Sequence, residues 1–361
     1  MIRFLHAADL HLDAAFRGLS PAEASARRQE QREQLGQIVA LANAEQCELL
    51  LLAGDLFDSD NAYPDTLEAL HDALAAFRGE IFISPGNHDC LRRGSAYLTA
   101  RWPENVHIFR TDAITCVELP ELGCRVYGAG FASMDQPPLL EGFRAEEDSL
   151  ISLMVVHGDC ENAASPYNPI TKEQIAASGL DYLALGHIHA HGELRQGSTL
   201  CAWPGCPMGR GFDETGEKGV LVGSVDKGNC ETRFVPLAGR RYEELSVAAG
   251  DDPLAAITAA LPQDTSRDIF RITLTGPSEP IDVSALYGAL KERFYILKIQ
   301  NRTVPRVDLW AQRGEDTLRG LFLSLLYERL SAAQTEEEKE GIRLAAKLGL
   351  DAMDGREEAR L

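Results

Sequence analysis

Up to His189, five apolar runs each break off into a short polar block at their carboxyl ends. "IRFLHA" leads to Asp9 and His11, "ELLLLAG" to Asp55, and "EIFISPG" to Asn87, His88 and Asp89. "ISLMVVH" ends on His157, and "YLALG" leads to His187, His189 and His191. Short apolar runs bounded by turn residues read as buried strands. Further runs of this kind lie at 114–119, 125–130, 199–205 and 219–225. Helical periodicity falls between them: Ser20 to Asn43, with Pro21 at the first helical position, then Asp65 to Phe77 and Thr171 to Ser178. Strands alternating with helices predict an α/β layered domain. In open sheets of this class, ligands bind beyond the carboxyl ends of the strands, where these polar blocks fall.

The residue types in the blocks suit metal binding. Imidazole is the commonest side-chain metal ligand, and residues two apart in an extended segment point to one side. Each block alone is weak, because a lone strand-end histidine is more often a satisfied structural residue. The order DxH, GD, GNHD, H, GHxH on successive strand ends is far more specific. Two divalent ions about 3.5–4 Å apart can clamp the attacking and leaving oxygens of a phosphoryl displacement. Mixed nitrogen and oxygen donors suit manganese, iron or zinc, and no cysteine is in the set.

Bulk composition narrows the classes. With 361 residues, one large domain plus one or two small ones is expected. The eight cysteines include no CxxC pair, which predicts reduced thiols rather than a disulfide framework or a zinc knuckle. No apolar run is long enough to span a membrane, and the first residues do not read as a secretory signal, so the expected location is cytoplasmic. The net charge of −20 opposes a simple nucleic-acid binder, so any such role needs local positive charge.

Beyond about Leu237 the pattern changes to β-α-β-α-β over roughly 240–304. The polar stretch 305–317 reads as a tether to two helices at about 316–331 and 335–353. In the first of these, Leu318, Leu321, Phe322, Leu325, Leu326 and Leu330 predict one apolar stripe. Thr335 is the expected cap of the second.

The blocks "HAADLHLD", "LLAGDLFD", "PGNHD" and "LALGHIH", with "WPGCPMGRGFDETGEKGV", resemble the calcineurin-like metallophosphoesterases. Among these the chain looks like the SbcD-type DNA-repair exonucleases, in particular the YhaO-like branch. The resemblance covers residues 1 to about 225. GDLFD lacks the arginine of the GDxxDRG pattern of serine/threonine phosphatases, and GNHD replaces their GNHE. Asp58 stands where some nuclease relatives carry a histidine.

The resemblance implies an α/β fold: a layered β-sandwich flanked by helices over 1–237, a small α/β capping domain at 238–304, and a linker with C-terminal partner-binding helices at 305–361. It implies two divalent ions, Mn(II) foremost, with Mg, Fe or Zn as alternatives. Asp9, His11, Asp55 and His189 would hold one; Asp55, Asn87, His157 and His187 would hold the other. His88 would contact the phosphate as the catalytic residue, and His191 is left a structural or surface role. Implied partners are DNA, an SMC-like coiled-coil ATPase gripped by the C-terminal helices, and a second copy of the chain. Arg17, Arg92, Arg93 and Arg210 follow closely on the motif blocks and are the candidate DNA contacts, although single surface arginines are often no more than that. The expected activity is a metal-dependent DNA exonuclease, with endonuclease action besides. The competing readings are a small-molecule phosphodiesterase or nucleotidase, and a non-catalytic scaffold of an ATPase complex.

Overall fold

The computed structural model describes residues 1–59, 62–306 and 308–354. The chain forms two compact units. Among the described residues, one comprises 1–244 with 263–271 and 290–298; the other comprises 245–262, 272–289 and those from 299 to 354.

The first unit opens with β1 (Ile2–Ala7), α1 (Pro21–Ala44), β2 (Leu49–Leu52), α2 (Pro64–Ala75), β3 (Glu80–Ile83), the single turn α3 (Ala96–Thr99) and β4 (Val106–Ile108). It continues through β5 (Thr115–Leu119), β6 (Cys124–Gly128), β7 (Ile151–His157), α4 (Lys172–Ala177), β8 (Tyr182–Gly186), β9 (Gly192–Gln196), β10 (Thr199–Trp203), β11 (Gly219–Asp226) and β12 (Asn229–Pro236). Two six-stranded sheets result, in the orders β12-β11-β1-β2-β3-β4 and β5-β6-β7-β8-β10-β9. Strands β1 to β4 run parallel, as do β6, β7, β8 and β10.

Alternation along each strand sorts side chains into layers. Phe4, Leu49, Leu51 and Phe82 of the first sheet meet Leu153, Val155, Tyr182 and Ala184 of the second in one core. Leu5, Leu50 and Leu52 face the other way, onto Leu35, Ile38 and Val39 of α1 and Leu70 and Leu74 of α2. Met154, Val156, Leu183 and Leu185 pack outward against Ile175 of α4. The helix–sheet–sheet–helix layering places the ends of β1, β2, β3, β7 and β8 around one site. The mixed α/β class and its flanking helices are as expected.

Helix α1 begins where the sequence places it. Ser20 and Glu23 form a reciprocal capping box ahead of Pro21. The expectation omits β4, β9 and β12. Val106–Ile108 is only three residues and half-buried, and β9 and β12 alternate in exposure, so none carries a continuous apolar run.

The remaining strands and helices are β13 (Tyr242–Ala248), α5 (Pro253–Ala260), β14 (Ile269–Thr275), β15 (Pro277–Ser278), α6 (Val283–Leu290), β16 (Ile296–Asn301), β17 (Val304–Pro305), α7 (Leu318–Ala332) and α8 (Glu336–Met353). Strands β13, β14 and β16 form a three-stranded sheet in that order. Thr335 caps α8 through a capping box with Glu338.

Two details of the tail differ from expectation. The stretch before α7 does not run free as a tether. Trp310 packs edge-on against Tyr327, Arg313 lies over the same ring at 4.2 Å, and Ser324 donates a hydrogen bond to the Arg313 carbonyl. The single apolar stripe divides into two faces. Leu318, Leu321 and Leu325 are exposed, whereas Leu323, outside the expected stripe, is buried, and Phe322 lies against Gly349 of α8. Helix α7 is apolar over more of its circumference than one stripe, and only part of it is covered by α8. Among the described residues no helix is long and apolar enough to cross a membrane. Among the described residues no cysteine takes part in a disulfide, and most of the cysteines are buried.

Candidate metal centre

The loops after β1 and β2 are zipped together. Asp9 donates its amide to the Gly54 carbonyl at 3.0 Å, His11 to Asp55 at 2.9 Å, and Leu12 to Leu56 at 2.8 Å. This ladder fixes the DxH and GD blocks side by side. The backbone is strained where the side chains matter. Asp9, His11, Asp55 and His187 have φ of 53°, 43°, 49° and 92°, a region L-residues rarely adopt. Such conformations persist only where surrounding structure over-determines them, and they concentrate at functional sites.

Two glycines permit the approach. A Cβ on Gly86 would stand 2.1 Å from Asp55 Oδ1, and one on Gly54, at φ +88°, would stand 2.4 Å from His157 Nδ1. The GNHD turn is then pinned by Asp89. Its carboxylate accepts hydrogen bonds from the amides of Gly86 at 2.8 Å and Phe57 at 3.0 Å, and from the Tyr97 hydroxyl at 2.5 Å.

Donor atoms converge at this point. Asp9, His11 and His189 each bring one potential ligand atom within 4.8 Å of the others, and so do Asp9, Asp55 and His157. His11 Nε2 lies 3.3 Å from His189 Nε2 and 3.7 Å from Asp55 Oδ2. His157 Nε2 lies 3.4 Å from Asp55 Oδ2 and 2.9 Å from Asn87 Oδ1. The His187 ring lies 5.2 Å from that of His157, centroid to centroid, with its Nε2 3.8 Å from Asp159 Oδ2. Asp55 therefore stands between both groups of donors.

The protonation pattern fits a cation. His157 donates from Nδ1 to the Ala53 carbonyl at 3.1 Å, so in the neutral ring Nε2 carries a lone pair. Burial pushes His157 down to about 3 and His187 to about 4, and holds His11 well below the usual range. Neutral imidazole is the metal-binding form. Burial also raises Asp55, and raises Asp9 to about 7. Two buried carboxylates and several imidazole lone pairs thus face one another with too few protons among them, which a divalent cation would resolve. A third group of donors, His11, Asp58 and His88, lies at the rim.

A chain of further residues orients these rings. Glu214 Oε1 accepts the Nδ1 hydrogen of His189 at 2.8 Å. Arg210 binds Glu214 at 2.7 Å and Asp58 at 3.0 Å. Asp58 Oδ1 lies 3.3 Å from His11 Nδ1, close but not aligned as a hydrogen bond. Burial works against the Glu214 charge, but hydrogen bonds from His189 and Arg210 outweigh it and lower its pKa. For His189 burial is likewise outweighed, by Glu214 and Asp9, and its pKa is raised. The raised His189 reports the carboxylates around its ring, and the lowered Glu214 reports the cationic donors His189 and Arg210 that hold it charged.

The other expected residues fall as follows. His88 is exposed at the rim. Its amide donates to Asp55 Oδ1 at 3.0 Å, and its Nδ1 lies 3.2 Å from the Asp58 carbonyl. His191 stacks on Phe234 and hydrogen-bonds the Trp203 carbonyl, outside the donor groups. Arg17, Arg92 and Arg93 are exposed, whereas Arg210 is half-buried in its ion pairs. Glu214 and Asp159 carry no signal in the spacing. Glu214 lies inside "GRGFDETGEKG", and its reach to His189 depends on a loop that the sequence alone does not close.

A family model described as calcineurin-like phosphoesterase matches residues 2–191. The chain belongs to that family. Among curated relatives of this calcineurin-like phosphoesterase is YhaO of Bacillus subtilis (strain 168), named an uncharacterized metallophosphoesterase. It is 28% identical over 335 residues, which span 87% of this chain and 81% of that one. The D subunit of the nuclease SbcCD from the same organism is 24% identical over 272 residues, 64% of this chain and 68% of the other. Its namesake from Rhodobacter capsulatus is 33% identical over 115 residues, 30% of this chain and 27% of the other. The family model covers every donor named above except the orienting Glu214 and Arg210. The calcineurin-like phosphoesterase assignment makes the chain a hydrolase of phosphate esters, with clustered donors able to hold metal.

Proposed function

We propose that the chain is a two-metal phosphodiesterase that cuts DNA, working as an exonuclease, and as an endonuclease besides, in end processing. The observation that carries the metal part is Asp55, whose carboxylate lies within 3.7 Å of His11 and 3.4 Å of His157, one from each group of donors. The similarity to the two SbcCD nuclease subunits supports DNA as the substrate.

Asp9, His11, Asp55 and His189 would hold one ion, and Asp55, Asn87, His157 and His187 the other. Mn(II) is the first choice for this nitrogen and oxygen set, with Mg, Fe or Zn as alternatives. When bound, such a pair supplies Lewis-acid charge to a phosphodiester and eases deprotonation of water. The chain's own residues do the rest. Ala53 and Glu214 hold the Nδ1 hydrogens of His157 and His189, which aims both Nε2 atoms inward. His88 gives its Nδ1 hydrogen to the Asp58 carbonyl, so a second proton at Nε2 makes the ring a cation. In that form it contacts a phosphate oxygen and can hand the proton to the departing oxygen.

DNA is met at the rim by Arg17, Arg92 and Arg93. Arg210 acts chiefly as the brace between Asp58 and Glu214. The exposed row Leu318, Leu321 and Leu325 on α7, with Leu344 and Leu348 exposed on α8, supports a helical partner, an SMC-like coiled-coil ATPase. A homodimer and a cytoplasmic location complete the reading. End-labelled duplex DNA incubated with manganese, with magnesium or with chelator tests it: shortening with manganese and none with chelator is expected. A second reading, a small-molecule phosphodiesterase, is favoured by the net charge of −20 and predicts turnover of small esters with intact DNA.

A further inference from the structure

Arg210 also lines a second concavity, a cavity of about 400 Å³ within the first unit. Four of its lining side chains are cationic, Arg17, Arg210, Arg271 and Lys298, against the one carboxylate of Asp213. On a chain carrying −20 overall, that local reversal of sign is unexpected. It is also built around an aromatic ring. The Arg271 guanidinium lies 4.4 Å from the centre of the Phe212 ring and Lys298 Nζ 5.7 Å from it, and Tyr242 meets the same ring edge-on at 5.1 Å.

The cations are not all spent on neighbours. Arg210 is held by Glu214 and Asp58, and Arg271 pairs with Glu244. Lys298 hydrogen-bonds only the neutral Gly18 carbonyl, at 3.4 Å, and feels the Glu23 carboxylate without direct pairing; among the described residues neither Lys298 nor Arg17 forms an ion pair. Lys298 is half-buried, so part of its hydration is already lost. A multivalent anion would restore that solvation and balance the charge. The cavity adjoins the metal centre through Arg210, whose other contacts lead by Glu214 to His189. Through its lining arginine, it is placed to take a substrate group next to the one being cut.

We infer that this cavity is a phosphate subsite, which holds a backbone phosphate of the substrate strand away from the scissile one. The inference rests on the nuclease reading for the source of that phosphate. A free polyphosphate would offer the same chemistry.

The test compares the manganese-loaded wild-type chain with Lys298→Glu, Lys298→Ala and Lys298→Arg. Each is assayed on bis-p-nitrophenyl phosphate, which reaches only the metal centre, and on single-stranded oligonucleotides. The expected result is a KM for oligonucleotide raised about tenfold in Lys298→Ala and further in Lys298→Glu, with Lys298→Arg near wild type. The salt dependence of oligonucleotide binding should flatten by roughly 0.7 in its logarithmic slope, the value of one lost phosphate contact on a single strand. Hydrolysis of the small ester should stay within about twofold, because no Lys298 contact reaches a metal donor. Unchanged oligonucleotide KM and slope would overturn the subsite, as would equal losses on both substrates. A wild-type chain that cleaves the ester but no oligonucleotide would fail the nuclease reading alone. Inhibition of ester hydrolysis by inorganic tripolyphosphate then decides: weakened inhibition in Lys298→Glu supports a phosphate subsite, and unchanged inhibition removes it.

Discussion

Glu214 reaches back to His189 and accepts its Nδ1 hydrogen at 2.8 Å, while Arg210 clamps the same carboxylate at 2.7 Å. The ring is thereby fixed in one tautomer and one orientation before any ion arrives.

Loss of that clamp should weaken metal binding without unfolding the chain. Glu214→Ala is expected to lower metal affinity by about 10- to 100-fold, the usual cost of removing a partner that orients a ligand histidine. Titration calorimetry with manganese measures it. Wild-type affinity in Glu214→Ala would assign the carboxylate to Arg210 alone.

Asp55 and His88 should separate metal content from turnover. Asp55→Asn removes the charge offered to both groups of donors and is expected to abolish activity and metal loading together. His88→Ala should keep both ions and lower kcat by about 10²- to 10⁴-fold, the range of a lost general acid. Mass-spectrometric metal counting beside ester kinetics reads both, and loss of an ion from His88→Ala would reverse its role.

A single methyl group should disturb the centre. Gly86→Ala would put a carbon 2.1 Å from Asp55 Oδ1, where a pinned turn has little room to give. A loss of about 1–3 kcal/mol in stability, with weaker metal loading, is expected. Denaturant melts and metal counting of the variant give the two numbers, and a wild-type melt would mean that the turn moves freely.

The two faces of α7 should respond differently. Leu321→Asp with Leu325→Asp alters exposed positions and is expected to leave the melting temperature and ester hydrolysis nearly unchanged while abolishing co-purification with the proposed coiled-coil ATPase. Leu323→Ala, at 1% exposure, should instead cost about 2–5 kcal/mol. A chain ending at Arg313 should likewise lose the ATPase and any ATP stimulation, while it keeps manganese-dependent cleavage. Full-strength capture by either exposed-face variant or truncation would move the partner's footprint elsewhere.

Much of the phosphoesterase layer was legible because its strands are continuous apolar runs with chemistry-bearing ends. The blocks of β1, β2, β3, β7 and β8 could be read one by one, since each motif is local. Their convergence could be inferred only by resemblance, because the pairing order of two sheets is a non-local property. Glu214 was opaque for the same reason: one glutamate in a polar loop has no period. The edge strands β9 and β12 were missed because their alternating exposure leaves no unbroken apolar run. On α7, periodicity marked an apolar helix but did not say which flank α8 would cover.

The left-handed backbone at Asp9, His11, Asp55 and His187 has a consequence for metal choice. Each such residue costs about 1–3 kcal/mol, which the folded core must already outweigh. A frame held this firmly has little freedom to contract or expand around ions of different radius. An ion whose radius or preferred geometry departs from that fixed socket would be held less well, so the strained backbone itself would take part in choosing the metal.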